Sequence, residues 1–554
     1  MIKKNQRSLI LLIFILLIIL IFLKFIPILN DQTIADIIRI FILSLLFATI
    51  IYFVCLQELT RRIFLSNRLV LIKGFLRRYG IWLILGTFFI FYNFITVSLH
   101  NLFLTYGGDL GVFDQIVWNL SHFRPAMQTF HNISGYLSNG FGQNFFSEHF
   151  SPILFLVAPF YWIWSDPRML ILLQNFIFVL GALPIYLLII KETKNYYLGF
   201  CLAIIYLLYI GNQAALYFPV HFQVFALTFL AFAFYFARQN KKMFYLFIIL
   251  ALCCQENIAI YIIFLGLYFI FFTKEKKLGL ITTGLGIVWL VGVVYILIPN
   301  IFHNKYPYPS FYYQQFGNTL SEQLLFFLKN PLVVLRQFFQ IANLRIFLTM
   351  GIGFGLLFLG APIFYFLGLP VLLENFLSNN VNMHIMDFHY WSFFSLALIL
   401  GTYYILKSIK QKSPKLLLFS ITFVFISNII SNIIFLPQLR SSRILKPSYY
   451  KVFLIRAGPI QELLKYIPAN ASVSAQAQIY PHLSERKEIY QFPIINNADY
   501  IILADALIAW PLSSQEYIES VNNLLNSKSF YLDKVVTIDT TAKFVYRGFI
   551  FKRR

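Results

Sequence analysis

GIWLILGTFFIFYNFITVSLH, residues 80–100, holds no Asp, Glu, Lys or Arg and then gives way to the polar run Asn101-Leu-Phe-Leu-Thr-Tyr106-Gly-Gly-Asp109. Roughly 20 apolar residues in a helix cross the hydrocarbon core of a bilayer, and this stretch meets that length. Working backward, residues 34–57 and 8–29 repeat the pattern. Ser8 to Leu29 is nearly all Ile, Leu and Phe, with no small-residue cleavage site before Asn30 and Asp31. It reads as a retained first span rather than a leader. The whole chain agrees: 59% of residues are hydrophobic and 12% charged, with a mean hydropathy of +0.73. A soluble globule has no interior for that much apolar surface, whereas a bilayer-embedded helix bundle does. The expected fold is an all-α polytopic transmembrane bundle with about 11 to 13 crossings before residue 438.

The net charge of +22 invites a nucleic-acid partner, but its distribution excludes one. Lys3, Lys4 and Arg7, then Arg61, Arg62, Arg68, Lys73, Arg77 and Arg78, then Lys407, Lys410, Lys412 and Lys415 all flank apolar runs. That is the positive-inside pattern of loops beside anionic lipid, and it predicts a cytoplasmic N-terminus. Cys55, Cys201, Cys253 and Cys254 sit in apolar segments without ligand spacing and read as buried thiols.

With the 61–78 loop inside, residues 101–151 emerge outside. This loop carries Asp109, Asp114 and Glu148 against the single basic residue Arg124, and three of the nine histidines, His122, His131 and His149. Further apolar runs follow at 152–165, 168–190, 196–213, 219–237, 243–255, 257–272 and 279–299. After a Tyr/Pro-rich loop with an amphipathic stretch at 323–339, expected along the outer interface, come runs at 346–359, 361–377, 391–406 and 416–437. The two ends of the chain disagree by one crossing, and the short 152–165 run is the expected re-entrant or partial segment. From residue 438 apolar runs shrink to strand length (472–475, 500–503, 534–538, 544–546), with helices expected at Pro459–Tyr466 and Ser514–Leu525. Three regions result: two helices and a basic loop at 1–79, a transmembrane core at 80–437 with outer loops 101–151 and 301–345, and a small α/β domain at 438–554, placed outside the membrane.

Chemistry concentrates at a few positions. Asp109 opens a helical pattern (Leu110, Phe113, Val117, Leu120) and reads either as a helix cap or, with Asp114, as a general base or metal ligand. Ser151-Pro152 reads as a helix start whose N-terminus, beside Glu148 and His149, suits an anion; His149 alone also reads as an interfacial residue. Gln255-Glu256-Asn257 interrupts some 30 apolar residues, so it marks a turn or lines a cavity. Glu374, His389, Tyr390 and His221 fall on segments assigned to the same face. The sequons Asn132-Ile-Ser134 and Asn470-Ala-Ser472 are short enough to arise by chance. No GxxxxGK[ST], HExxH or GxSxG occurs, so nucleotide hydrolysis and the common protease and lipase mechanisms have no motif here.

Tyr106-Gly-Gly-Asp109-Leu-Gly-Val-Phe-Asp114-Gln115-Ile-Val-Trp118, followed by Glu148-His149-Phe150-Ser151-Pro152, resembles the DUF2079 family of prokaryotic membrane proteins. Leu173-Gln174, Gly181-Ala-Leu-Pro184, Gln255-Glu256-Asn257, Pro370 to Asn375 and His389-Tyr390 extend the match. Ile467 to Ser474, Pro481 to Arg486 and Ile489 to Pro493 carry it into the tail, so it runs from about residue 85 to 505. Asn257 departs from it, standing where an acidic residue is expected. The layout is similar to GT-C class membrane glycosyltransferases, which use polyprenyl-phosphate sugars. That resemblance implies sugar transfer at the outer face of a prokaryotic cell membrane, with Asp109 or Asp114 deprotonating an acceptor hydroxyl. Substrate binding would fall to Glu148, His149, His221, Gln255, Glu256, Asn257, Glu374, His389 and Tyr390. A divalent metal, Mg2+ or Mn2+, would have Asp109, Asp114 and His149 as candidate ligands. The residues also admit a transporter or flippase lined by Glu256, Glu374 and His221, or a non-catalytic envelope scaffold.

Overall fold

The computed structural model describes residues 32–61, 67–130, 144–539 and 545–554. The expected first span at 8–29, His131 and the sequon at Asn132 lie outside these residues, as does the Cys55 side chain. The chain is mostly helical, and nearly every apolar run becomes a helix. Six helices are long and apolar enough to cross a membrane: Thr33–Tyr52, Gly74–Asn101, Pro167–Thr193, Lys276–Ile301, His389–Lys412 and Pro414–Gln438. Counting each of two bent pairs as one span raises the number to 8 among the described residues, against the about 11 to 13 expected from hydropathy. One expected span, 8–29, lies outside the described residues, and other runs form shorter apolar helices, such as Gln223–Phe236, Ile258–Phe272 and Pro362–Leu377.

The bent pair Tyr196–Leu208 and Ile210–Tyr217 turns by 45°, which frees carbonyls that lipid cannot satisfy. Polar side chains meet them. Asn432 Nδ2 donates to the Leu208 carbonyl at 2.8 Å and Gln213 Nε2 to the same oxygen at 2.7 Å. Asn212 Nδ2 donates to the Tyr206 carbonyl at 2.8 Å. The 152–165 run differs from the helix read from Ser151-Pro152. Only Leu154–Val157 is α-helical, without a side-chain cap, and Ala158–Trp162 is a 3-10 turn. Pro159 has no N–H to continue the ladder, so no helix terminus long enough to attract an anion forms there. Cys201 and Cys254 are buried and Cys253 half-buried, all as free thiols.

The tail folds around a five-stranded sheet of β1 (Val473–Ala475), β2 (Ile489–Gln491), β3 (Tyr500–Ala504), β4 (Phe530–Asp539) and β5 (Tyr546–Arg553), in the order β2-β1-β3-β5-β4. β1 runs parallel to β2 and β3, while β5 is antiparallel to β3 and β4. The helix Ser514–Leu525 forms as expected and closes its start with a capping box between Ser513 and Glu516. The helix expected from Pro459 instead starts at Pro447 and runs through Pro459 to Leu464. Proline suits a first helical turn, and Pro447 takes that place.

Candidate functional site

The motif of residues 106–118 divides between two tasks. Gly107–Gly111 forms a π-helical turn leading into the helix Val112–Ser121. A Cβ at Gly111 would come within 2.4 Å of Tyr480, and one at Gly107 within 2.9 Å, so these glycines let the Tyr480 ring lie directly on the backbone. Gly107 N donates to the Ala477 carbonyl at 2.8 Å. Gln115 Nε2 donates to the Arg486 carbonyl at 3.1 Å, and Thr129 Oγ1 to the Ile489 carbonyl at 2.6 Å. Asp114, fully buried, accepts from the Tyr161 hydroxyl and from Ser484 Oγ, the latter at 2.7 Å. This half of the motif clasps the tail. Burial, with Glu485 nearby, pushes the Asp114 carboxyl well above the usual range. Burial also pushes Glu485 up to about 7.

Asp109 goes elsewhere. It lines a cavity of about 1390 Å³. Of the residues singled out in the sequence, all but Asp114 line this cavity: Asp109, Glu148, His149, His221, Gln255, Glu256, Asn257, Glu374, His389 and Tyr390. Gln255-Glu256-Asn257 does so from the turn between the helices Lys241–Leu252 and Ile258–Phe272, so it is a turn and a cavity wall at once.

Five carboxylates share the space: Asp109, Glu148, Glu256, Glu374 and Asp387. His221 Nε2 lies 3.2 Å from Asp109 Oδ1 while its Nδ1 faces the Phe218 carbonyl at 3.1 Å. The His221 ring stacks on His389 at 3.8 Å, and His389 Nδ1 is buried with no protein partner among the described residues. Glu256 is held more firmly: His149 Nδ1 at 2.9 Å, the Phe150 amide at 3.0 Å and the Tyr306 hydroxyl at 2.8 Å. Burial and the adjacent Glu256 push the Tyr306 hydroxyl up, which keeps it a donor. Glu374 accepts from the Tyr261 hydroxyl at 2.5 Å and from Asn257 Nδ2 at 3.4 Å. Asp109 pairs with His221 and is part-exposed on the cavity, so its carboxylate is open to a ligand there.

A family model described as a predicted membrane protein, DUF2079, matches residues 98–530. The chain belongs to this family. No curated protein and no solved structure matches it. The DUF2079 match takes in the cavity residues from Asp109 to Tyr390 and the clasp residues Gln115, Ser484 and Arg486 alike.

Sequence reading missed a basic group in the same cavity: Arg440, Arg443 and Arg456. Arg440 pairs with Asp387 at 3.2 Å; Arg443 is exposed and Arg456 half-buried. Leu439-Arg-Ser-Ser-Arg443, directly after the last apolar run, was the available signal. The tyrosines of Tyr306-Pro-Tyr-Pro-Ser-Phe-Tyr-Tyr313 were another, with Tyr308 stacked on His149 at 4.2 Å. The suggested metal ligands Asp109, Asp114 and His149 do not converge, because Asp114 is sealed under the tail. No group of three or more His, Cys, Asp or Glu among the described residues is arranged to hold a metal ion.

Proposed function

We propose that this protein is a membrane glycosyltransferase that moves a sugar from a polyprenyl-phosphate donor at the outer face of a prokaryotic cell membrane. The observation that carries this reading is the make-up of one cavity. An acid–histidine wall at Asp109, His221 and His389 shares it with the arginines 440, 443 and 456 and with apolar residues such as Ile260, Ile263 and Phe264. Arginine suits a phosphate head, apolar walls suit a hydrocarbon chain, and a carboxylate open to the cavity suits a base. In the transfer step Asp109 takes the proton of an acceptor hydroxyl. That oxygen bonds to the anomeric carbon, and the carbon–oxygen bond to the phosphate breaks with its electron pair leaving on the phosphate. His221 positions the Asp109 carboxylate, while Glu256, already engaged three times, acts as a structural anchor.

This reading puts the N-terminus in the cytoplasm and the tail from residue 438 outside, as a unit covering the cavity. A transporter or flippase is the second reading, favoured by the bent helix pairs, since broken helices line many transport paths. The test compares membranes carrying the wild type, Asp109→Asn and Asp109→Glu, supplied with a panel of radiolabelled polyprenyl-phosphate hexoses. Asp109→Asn should lose transfer by about 100-fold or more, the scale of a general base, with an unchanged melting temperature. Full transfer in that variant would remove Asp109 from the chemistry.

A further inference from the structure

The helix Lys276–Ile301 is the least covered of the six candidate spans, with 28% of its apolar window buried. Its exposed side chains include Leu280, Ile287 and Val288, so in a bilayer this face meets lipid. Val291 and Tyr295 continue the same exposed face, yet they also line the cavity. Across from them, Leu324 is 62% exposed and lines it too. It belongs to the helix Leu320–Lys329, whose polar side is fixed inward: Gln323 Nε2 donates to the Pro309 carbonyl at 2.8 Å and to the Gly317 carbonyl at 2.9 Å. The two helices touch through Tyr295 Oη and Ser321 Oγ at 2.9 Å. The span widens here into a π-helical turn, Gly292–Leu297, and a Cβ at Gly292 would meet nothing within 4 Å. The cavity wall and the lipid-facing surface are therefore one continuous apolar surface at this point.

We infer that the hydrocarbon chain of an anionic lipid lies between the helices Lys276–Ile301 and Leu320–Lys329, passing Gly292 and Leu324, while its phosphate reaches Arg440, Arg443 and Arg456. The inference rests on the proposed function for the headgroup chemistry alone. A second copy of the chain on this face would bury the apolar residues but would bring no phosphate to Arg440, Arg443 and Arg456 inside the same cavity, where Asp387 pairs with Arg440. A lipid phosphate supplies both.

The probe is a benzophenone-tipped isoprenoid phosphate, photolysed with the full-length protein in nanodiscs, with adducts mapped by mass spectrometry. Its alcohol counterpart and inorganic phosphate serve as controls. Adducts are expected on the peptides covering residues 284–297 and 320–327. Arg440→Gln with Arg443→Gln should weaken labelling by the phosphate probe about tenfold or more, the scale of one lost charge-assisted contact, and leave the alcohol unchanged. Gly292→Trp, placed in open space, should reduce labelling by both probes; a thermal melt checks its fold. Inorganic phosphate should compete only weakly, and full competition at millimolar concentration would mean that the site takes free phosphate. Even labelling over all lipid-facing helices, or adducts between two protein copies in place of probe adducts, would overturn the lipid path. Labelling without sugar transfer would retain the path and remove the transferase reading. Transfer without labelling would do the reverse.

Discussion

Asp109 and Asp114 stand five positions apart and end in different surroundings, one facing a cavity and the other locked between Tyr161 and Ser484. Their spacing showed that they do not share a helix face, but nothing local showed which one the tail would cover. Asp114→Ala should leave the buried Tyr161 hydroxyl without its acceptor, while Ser484 Oγ keeps the Pro481 carbonyl at 3.1 Å, costing about 1–3 kcal/mol. A lower melting temperature in detergent would report it, whereas Asp109→Asn should melt like the wild type. Gly111→Ala tests the clasp from the other side. The added methyl meets Tyr480 at 2.4 Å, and overpacking of that kind costs about 1–3 kcal/mol. Faster proteolysis within residues 465–500 is expected, with Gly86→Ala, which meets nothing within 4 Å, as the silent control. Glycine identity was visible in the sequence; the ring that requires it comes from more than 360 residues away.

At the scale of elements, the docked tail carries a pH dependence whose sign follows from Glu485. Its carboxyl is pushed up to about 7 from an ordinary 4.5, so the undocked form loses its proton first as pH rises. Stability is therefore highest below about 4.5, falls as pH climbs toward about 7, and levels off once the docked carboxyl ionises; Asp114 shifts in the same direction. Melting temperatures at pH 5 and pH 8 should differ accordingly, and Glu485→Gln should narrow the gap. A steeper gap in that variant would show that other groups set the dependence. Apolar runs located most helices within a few residues because hydropathy is a local property. The break at Tyr209 was not visible, since the groups that tolerate it, Asn212, Gln213 and Asn432, come partly from another helix. Asn432→Leu removes one of two donors to the freed Leu208 carbonyl, with Gln213 keeping the other, and a loss of about 0.5–1.5 kcal/mol in detergent denaturation is expected. β2 (Ile489–Gln491) escaped notice: it sits among charged and polar residues such as Lys487, Glu488 and Gln491, with no apolar run to mark it.

Over the whole molecule, the cavity separates the two functional readings by access. A transport path needs Glu256 to be reached from both sides of the membrane, whereas transfer at one face needs only one. Glu256→Cys in oriented vesicles should react with a membrane-impermeant thiol reagent from a single side; reaction from both would favour transport. The sequence by itself determined the membrane class, most helices, the tail's change to mixed α/β structure and the family, because apolar run length and motif spacing are written along the chain. It also named ten of the polar residues that line the cavity, from Asp109 to Tyr390, since a polar group among apolar neighbours is conspicuous wherever it falls. Tertiary structure alone decided that Asp109 faces the cavity while Asp114 does not, that Arg440, Arg443 and Arg456 share it, and that its apolar wall continues onto the outer surface. Those outcomes depend on which distant segments pack together, and packing between the motif near residue 110 and the tail near residue 480 leaves no mark in either stretch read alone.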